Sequence, residues 1–157
     1  MPPKWLFDIS EIDFNKVVMD TAEIETINPQ KFEMRQIDAI IHYAPEKKEI
    51  IALKEVKDDE FWVRGHIPGR PIYPGVLMIE AAAQMSSIAA IKESKETRFI
   101  GFGGIQNVKF RQQVVPGDKL FILGRFLKLS PRKFVMAVQG IVGDRMVFEA
   151  EIIGMPL

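Results

Sequence analysis

Val76-Leu77-Met78-Ile79-Glu80-Ala81-Ala82-Ala83-Gln84-Met85-Ser86-Ser87-Ile88-Ala89-Ala90-Ile91 decides how this chain is built. A helix over residues 74–92 carrying that run is hydrophobic nearly all round, and such a helix is enclosed by a fold rather than laid on its surface. The run is too short, and too interrupted by Glu80, Gln84, Ser86 and Ser87, to span a bilayer. Outward from it the chain reads as strands. After the helix these are 99–104, 105–111, 120–129, 134–142 and 146–153, punctuated by Pro116-Gly117-Asp118, Ser130-Pro131-Arg132-Lys133 and Gly143-Asp144. Before it stand 34–43 and 49–56, separated by Ala44-Pro45-Glu46-Lys47-Lys48, and the short β-prone run Phe61-Trp62-Val63. Two strands, one long helix and a further run of strands describe an α+β fold: one antiparallel sheet wrapped around a central helix. Residues 1–28 read as an N-terminal extension with a short helix capped by Asp20 and broken at Asn28-Pro29, leaving 29–157 as a single domain.

Within the helix, Glu80, Gln84 and Ser87 recur at i, i+4 and i+7 and form one polar stripe. A carboxylate flanked by apolar neighbours is paired, hydrogen-bonded or shifted toward its neutral form, which are the conditions that suit an acid catalyst. The preceding loop, Gly65-His66-Ile67-Pro68-Gly69-Arg70-Pro71-Ile72-Tyr73-Pro74-Gly75, has three prolines and three glycines in eleven residues, and so prescribes one backbone path. His66 opens that path, with a side chain that both takes and gives a proton near neutrality. Gly75 and Val76 carry N–H groups at a helix start with no Ser, Thr, Asp or Asn to cap them. Such donors suit a developing oxyanion. His42, on a strand beside Tyr43 with nothing near to orient it, reads as a surface residue.

Composition narrows the function classes. The chain has 157 residues, 47% of them hydrophobic, with 21 Lys+Arg balancing 21 Asp+Glu, two His and no Cys. No cysteine means no disulfide framework, no Cys-based zinc or iron–sulfur site and no thiolate nucleophile. Two histidines argue against a multi-His metal site, so no metal is expected. A net charge of zero offers no footprint for nucleic acid and little repulsion against self-association. No apolar leader or membrane span is visible in the sequence, and the expected compartment is the cytoplasm.

The segment His66-Ile67-Pro68-Gly69-Arg70-Pro71-Ile72-Tyr73-Pro74-Gly75, with Glu80 fourteen residues after His66, closely resembles the 3-hydroxyacyl-acyl-carrier-protein dehydratases of type II fatty acid synthesis, the hot-dog-fold dehydratase family. The family pattern is HxPGRPxxPG followed by a catalytic carboxylate. Its seven fixed residues would match a given start by chance about once in 10⁹ at roughly 5% per residue. Lys109-Phe110-Arg111 and Val114-Val115-Pro116-Gly117-Asp118 resemble a second family block. The resemblance implies a hot-dog fold and homodimers whose active sites draw on both subunits. It leaves open whether dimers assemble further, into hexamers as trimers of dimers. It also implies a hydro-lyase that dehydrates 3-hydroxyacyl thioesters on acyl carrier protein to trans-2-enoyl thioesters, with no cofactor beyond the phosphopantetheine that carries the substrate. His66 would remove the α-proton, Glu80 of the partner subunit would serve the departing β-hydroxyl, Gly75 would offer its N–H to the thioester oxygen, and Gln84 would support Glu80. Arg70, Lys109 or Arg111 would meet the phosphopantetheine arm or its carrier. A non-catalytic acyl-thioester-binding subunit and a thioesterase on the same fold are the alternatives. The chain departs from the family pattern at Pro29-Gln30-Lys31-Phe32-Glu33, where Pro-His-Arg-Tyr-Pro is usual, at Ile67, where Phe is usual, and at Trp62-Val63, where two phenylalanines are common.

Overall fold

The structure, a computed structural model, describes residues 3–157. Helix α1 (Thr21–Ile27) begins where the Asp20 carboxylate accepts a 3.0 Å hydrogen bond from the Glu23 N–H. Six strands follow among the described residues: β1 (Ala39–Ala44), β2 (Glu49–Glu55), β3 (Ile100–Phe110), β4 (Lys119–Leu129), β5 (Phe134–Val142) and β6 (Arg145–Pro156). All neighbours are antiparallel, in the order β1-β2-β4-β5-β6-β3. The long helix α2 (Gly75–Ser94) lies against this sheet, as its apolar sequence requires. Its Met78, Ala81, Ala82, Met85, Ile88 and Ala89 share one core with inward residues of the sheet such as Ile50, Ile122, Met136 and Phe148. Each such large side chain, fully buried, contributes about 1.5–3 kcal/mol. Gly124 on β4 sets the closeness of the packing: a Cβ there would lie 2.5 Å from Met85 Cε and 2.6 Å from Met136 Sδ.

The other face of the sheet is also apolar, and the N-terminal segment covers it. Phe7 is buried with Ile41, Ile51, Leu123 and Ile141, and Trp5, Leu6, Ile9, Ile12 and Phe14 pack around them. Backbone bonds tie the strap down, with Leu6 N–H donating to Gln139 Oε1 (2.9 Å) and Gln139 Nε2 donating to the Lys4 carbonyl (3.1 Å). The two sheet edges differ. Val18 and Met19 donate to the Ile40 carbonyl and Met19 accepts from Ile40 N–H, so the β1 edge is covered at Ile40. The β3 edge has no partner strand among the described residues, and Phe102, Ile105 and Phe110 are exposed along it. An apolar open edge is a surface that invites pairing.

The structure corrects several strand expectations. Residues 99–104 and 105–111 are one strand, not two: Gly103-Gly104 looks like punctuation but forms a bulge, and a second bulge lies between Gln106 and Lys109, where Asn107 has φ 54°. The strand expected over 34–43 starts only at Ala39. Phe32–Met34 is a 3-10 turn, with Phe32 at φ 54°, and beyond it the Gln36 N–H donates to the Gln84 side chain of α2 before Asp38 N–H reaches the Leu53 carbonyl of β2. Phe61-Trp62-Val63 forms turns instead of a strand, because the Trp62 carbonyl accepts from Gly65 and His66 N–H groups and folds the chain back.

Candidate active site

The loop before α2 aims His66. Ile67 has φ 62°, a left-handed conformation that costs a β-branched residue about 1–3 kcal/mol, and Gly69 follows at φ 80°. These reversals return the Ile72 carbonyl to the imidazole, 2.6 Å from Nδ1. A carbonyl only accepts, so Nδ1 carries the proton and Nε2 keeps its lone pair free. The far end of the loop is anchored where Tyr73 N–H donates to the Val114 carbonyl at 2.7 Å.

At the start of α2 the Pro74 carbonyl accepts from the Leu77 and Met78 N–H groups, and no side chain caps the helix. The N–H groups of Gly75 and Val76 have no acceptor among the described residues, at the positive end of the helix dipole. Glycine at 75 also has a steric reason: a Cβ would lie 2.8 Å from the Phe110 ring.

One turn and a half further on, Glu80 enters a groove of about 730 Å³. Its floor is Glu80, Ala83, Gln84, Ser87 and Ile91 of α2, with walls from residues 25–31, 96–102 and 152–154. The polar stripe expected from the sequence therefore lines the groove. Gln84, 2% exposed, donates from Nε2 to Glu80 Oε1 (2.8 Å) and to the Met34 carbonyl (2.7 Å), and its Oε1 accepts from Gln36 N–H (2.9 Å). Near one end of the groove, the Arg98 guanidinium holds the Glu96 carboxyl down to about 2.

Glu80 and Gln84 are thus together, whereas His66 stands elsewhere: among the described residues no hydrogen bond or ion pair joins it to Glu80, and it does not line the groove. Arg70 and Lys109 are exposed, while Arg111 is engaged with Glu149 through Nε (2.8 Å) and Nη2 (2.5 Å). His42 is not the unoriented surface residue expected. Its Nε2 lies 3.3 Å from Glu49 Oε2, and its ring centroid is 6.1 Å from that of Phe7 in the strap. The neighbouring strand and the covering strap supply the partners that its own strand lacks. Sequence reasoning missed Met34, Gln36 and Tyr73 as residues behind the site. Gln36 stands between Arg35 and Asp38, one polar residue among several, so no local signal singled it out.

A family model described as FabA-like domain matches residues 28–151. The 3-hydroxyacyl-acyl-carrier-protein dehydratase FabZ of Enterococcus faecalis is 40% identical over 140 residues, 87% of this chain and 95% of that protein. FabZ of Syntrophobacter fumaroxidans is 37% identical, over 86% and 92%. FabZ of Chlamydia trachomatis is 33% identical, over 87% and 92%. The chain therefore belongs to the FabA-like family and, within it, to the FabZ-type dehydratases. Solved structures agree on the hot-dog fold. The dehydratase heterocomplex ApeI:P of Xenorhabdus doucetiae superposes with a TM-score of 0.72 at 15% identity, covering 85% of this chain and 90% of that one. Cj0977, a virulence protein of Campylobacter jejuni, gives 0.69 at 16% identity, over 93% and 96%. No helix among the described residues is long and apolar enough to cross a membrane.

Proposed function

We propose that this chain dehydrates 3-hydroxyacyl thioesters on acyl carrier protein to trans-2-enoyl thioesters, supplying fatty acid or related acyl chain synthesis. The observation that carries the reading is Glu80, a carboxylate fixed by Gln84 in a groove that also presents Ala83, Ile91, Phe134 and Ile152, in the same chain as an imidazole whose Nε2 is left free. In the reaction His66 Nε2 takes the α-proton of the substrate. The uncapped Gly75 N–H stabilises the negative charge that grows on the thioester oxygen. Glu80 gives a proton to the β-hydroxyl, the C–O bond breaks and water leaves, so the product differs from the substrate by one water. No cofactor is needed beyond the phosphopantetheine that carries the acyl group. Exposed Arg70 and Lys109 suit the phosphate of that arm better than Arg111, whose charge is engaged by Glu149.

Separation of His66 from Glu80 within one chain supports a homodimer in which each site takes His66 from one subunit and Glu80 from the other. The open, apolar β3 edge is the surface offered for that pairing. Paired absorbance assays for the conjugated enoyl thioester and for free thiol test the function on the parent chain and on Glu80→Gln. The parent forms enoyl product without releasing thiol, and Glu80→Gln, which keeps the shape but cannot transfer the proton, loses on the order of 10²–10⁴ in rate. Thiol release would make the chain a thioesterase. Silence in both assays alongside acyl-thioester binding would make it a binding subunit.

A further inference from the structure

Among the described residues Glu80 has one hydrogen-bond partner, Gln84, and that partner is itself directed from elsewhere. The amide of Gln84 has two chemically opposite ends, and its surroundings distinguish them. The Gln36 N–H, which only donates, faces Oε1, and the Met34 carbonyl, which only accepts, faces Nε2. The second N–H of Nε2 must then meet Glu80 Oε1, which leaves Glu80 Oε2 without a partner among the described residues and available to a substrate hydroxyl. The 34–36 backbone thereby sets which end of Gln84 reaches the carboxylate. That backbone runs from Met34, the last residue of a strained 3-10 turn, toward the start of β1. It is held by the side chain of Gln36, 1% exposed, whose Oε1 accepts from the Tyr73 hydroxyl at 2.7 Å and whose Nε2 donates to the Glu33 carbonyl at 2.7 Å.

Tyr73 is a firm anchor. Its side chain is fully buried, its ring packs 5.4 Å from that of Trp62, and its backbone N–H is bonded to Val114. Burial, with smaller contributions from the Glu60, Asp38 and Glu80 carboxylates, pushes its phenol far above the ordinary value, so the hydroxyl stays a donor throughout the working range. Tyr73 also follows directly on Ile72, whose carbonyl holds His66, and stands two residues before Gly75.

We propose that Tyr73 and Gln36 are positioning residues for Glu80, acting through Gln84 to direct its free oxygen at the substrate. This rests on Glu80 being the acid of the dehydration, so Glu80→Gln is measured in parallel. The test is steady-state kinetics of the full chain with a 3-hydroxyacyl thioester for Tyr73→Phe, Gln36→Met and the double variant. Each single variant is expected to lower kcat about tenfold or more with KM within twofold, and to move the pH profile of kcat. The double variant is expected to be no worse than either single, because the two side chains act through one bond. In a Gln84→Leu background, Tyr73→Phe should cost nothing further. Tyr73→Phe strands the Gln36 acceptor; if that single variant fails to fold, the double, which leaves neither partner unsatisfied, carries the measurement. Tyr73→Phe, or the double in its place, keeping kcat within twofold and the parent pH profile overturns the proposal, whatever happens to Tm. If Glu80→Gln is inactive in that case, only the brace falls. If Glu80→Gln itself runs at the parent rate, the assignment of the acid falls and the brace with it.

Discussion

Mixing two inactive variants puts the shared site to a quantitative test. In one chain His66 is bonded to Ile72 and Glu80 to Gln84, and no bond joins the two groups. Consider His66→Ala and Glu80→Gln subunits, equimolar and freely exchanging. A two-fold dimer population is then one part, two parts and one part, so half of the dimers are mixed. Each mixed dimer has one site with both groups intact and one site with neither. Activity should therefore return to about one half of one half, or roughly a quarter of the parent. If each parent variant is depressed about 10²-fold or more, the mixture rises about 25-fold or more above either alone. Were each site built within one chain, no mixed dimer would hold an intact site and nothing would return. The assay is enoyl absorbance on differently tagged subunits, with exchange verified by native mass spectrometry. A mixture that stays at the level of its parents while heterodimers are shown to be abundant refutes the shared arrangement.

Further outcomes follow from packing and linkage. Gly154→Ala on β6 places a Cβ 2.2 Å and 2.4 Å from atoms of the Phe134 ring and should cost about 1–3 kcal/mol, lowering Tm by about 2–4 °C per kcal/mol in calorimetry; an unchanged Tm would contradict the packing. Phe7→Ala opens the outer core and should destabilise the chain by about 3 kcal/mol in urea titration, with increased binding of an apolar dye and unaltered kcat in the folded protein. Burial raises the Tyr73 pKa in the folded chain, so its contribution to stability is fully present below the ordinary value of 10.0 and declines as pH rises beyond it. The decline is at most about 1.4 kcal/mol per pH unit. Urea midpoints at pH 8 and pH 11 should therefore fall further for the parent than for Tyr73→Phe, and equal losses would show that the phenol titrates alike in both states.

Local pattern made the helix and the loop before it legible. Residues 75–94 contain few polar side chains, so only enclosure suits them, and Glu80, Gln84 and Ser87 had to share a stripe because 3.6 residues make a turn. The sharp loop from His66 to Gly75 announced itself through Pro and Gly, which restrict or extend φ whatever the surroundings. Bulges were hidden, since Gly103-Gly104 signals a turn or a bulge equally well and only pairing with β6 decides between them. His42 was misread for a similar reason: Glu49 comes from the next strand and Phe7 from a strap 35 residues earlier, and no local signal reports either. By itself the sequence determined the enclosed helix, the stiff loop and the residue types able to move protons, all of which depend on neighbours a few positions away. Tertiary structure alone decided that Ile72 orients His66, that Gln36 and Tyr73 stand behind Gln84, and that His66 and Glu80 of one chain lie apart. Hydrogen bonds between segments some 37 and 48 residues distant depend on where the whole chain closes, and no local periodicity encodes that closure.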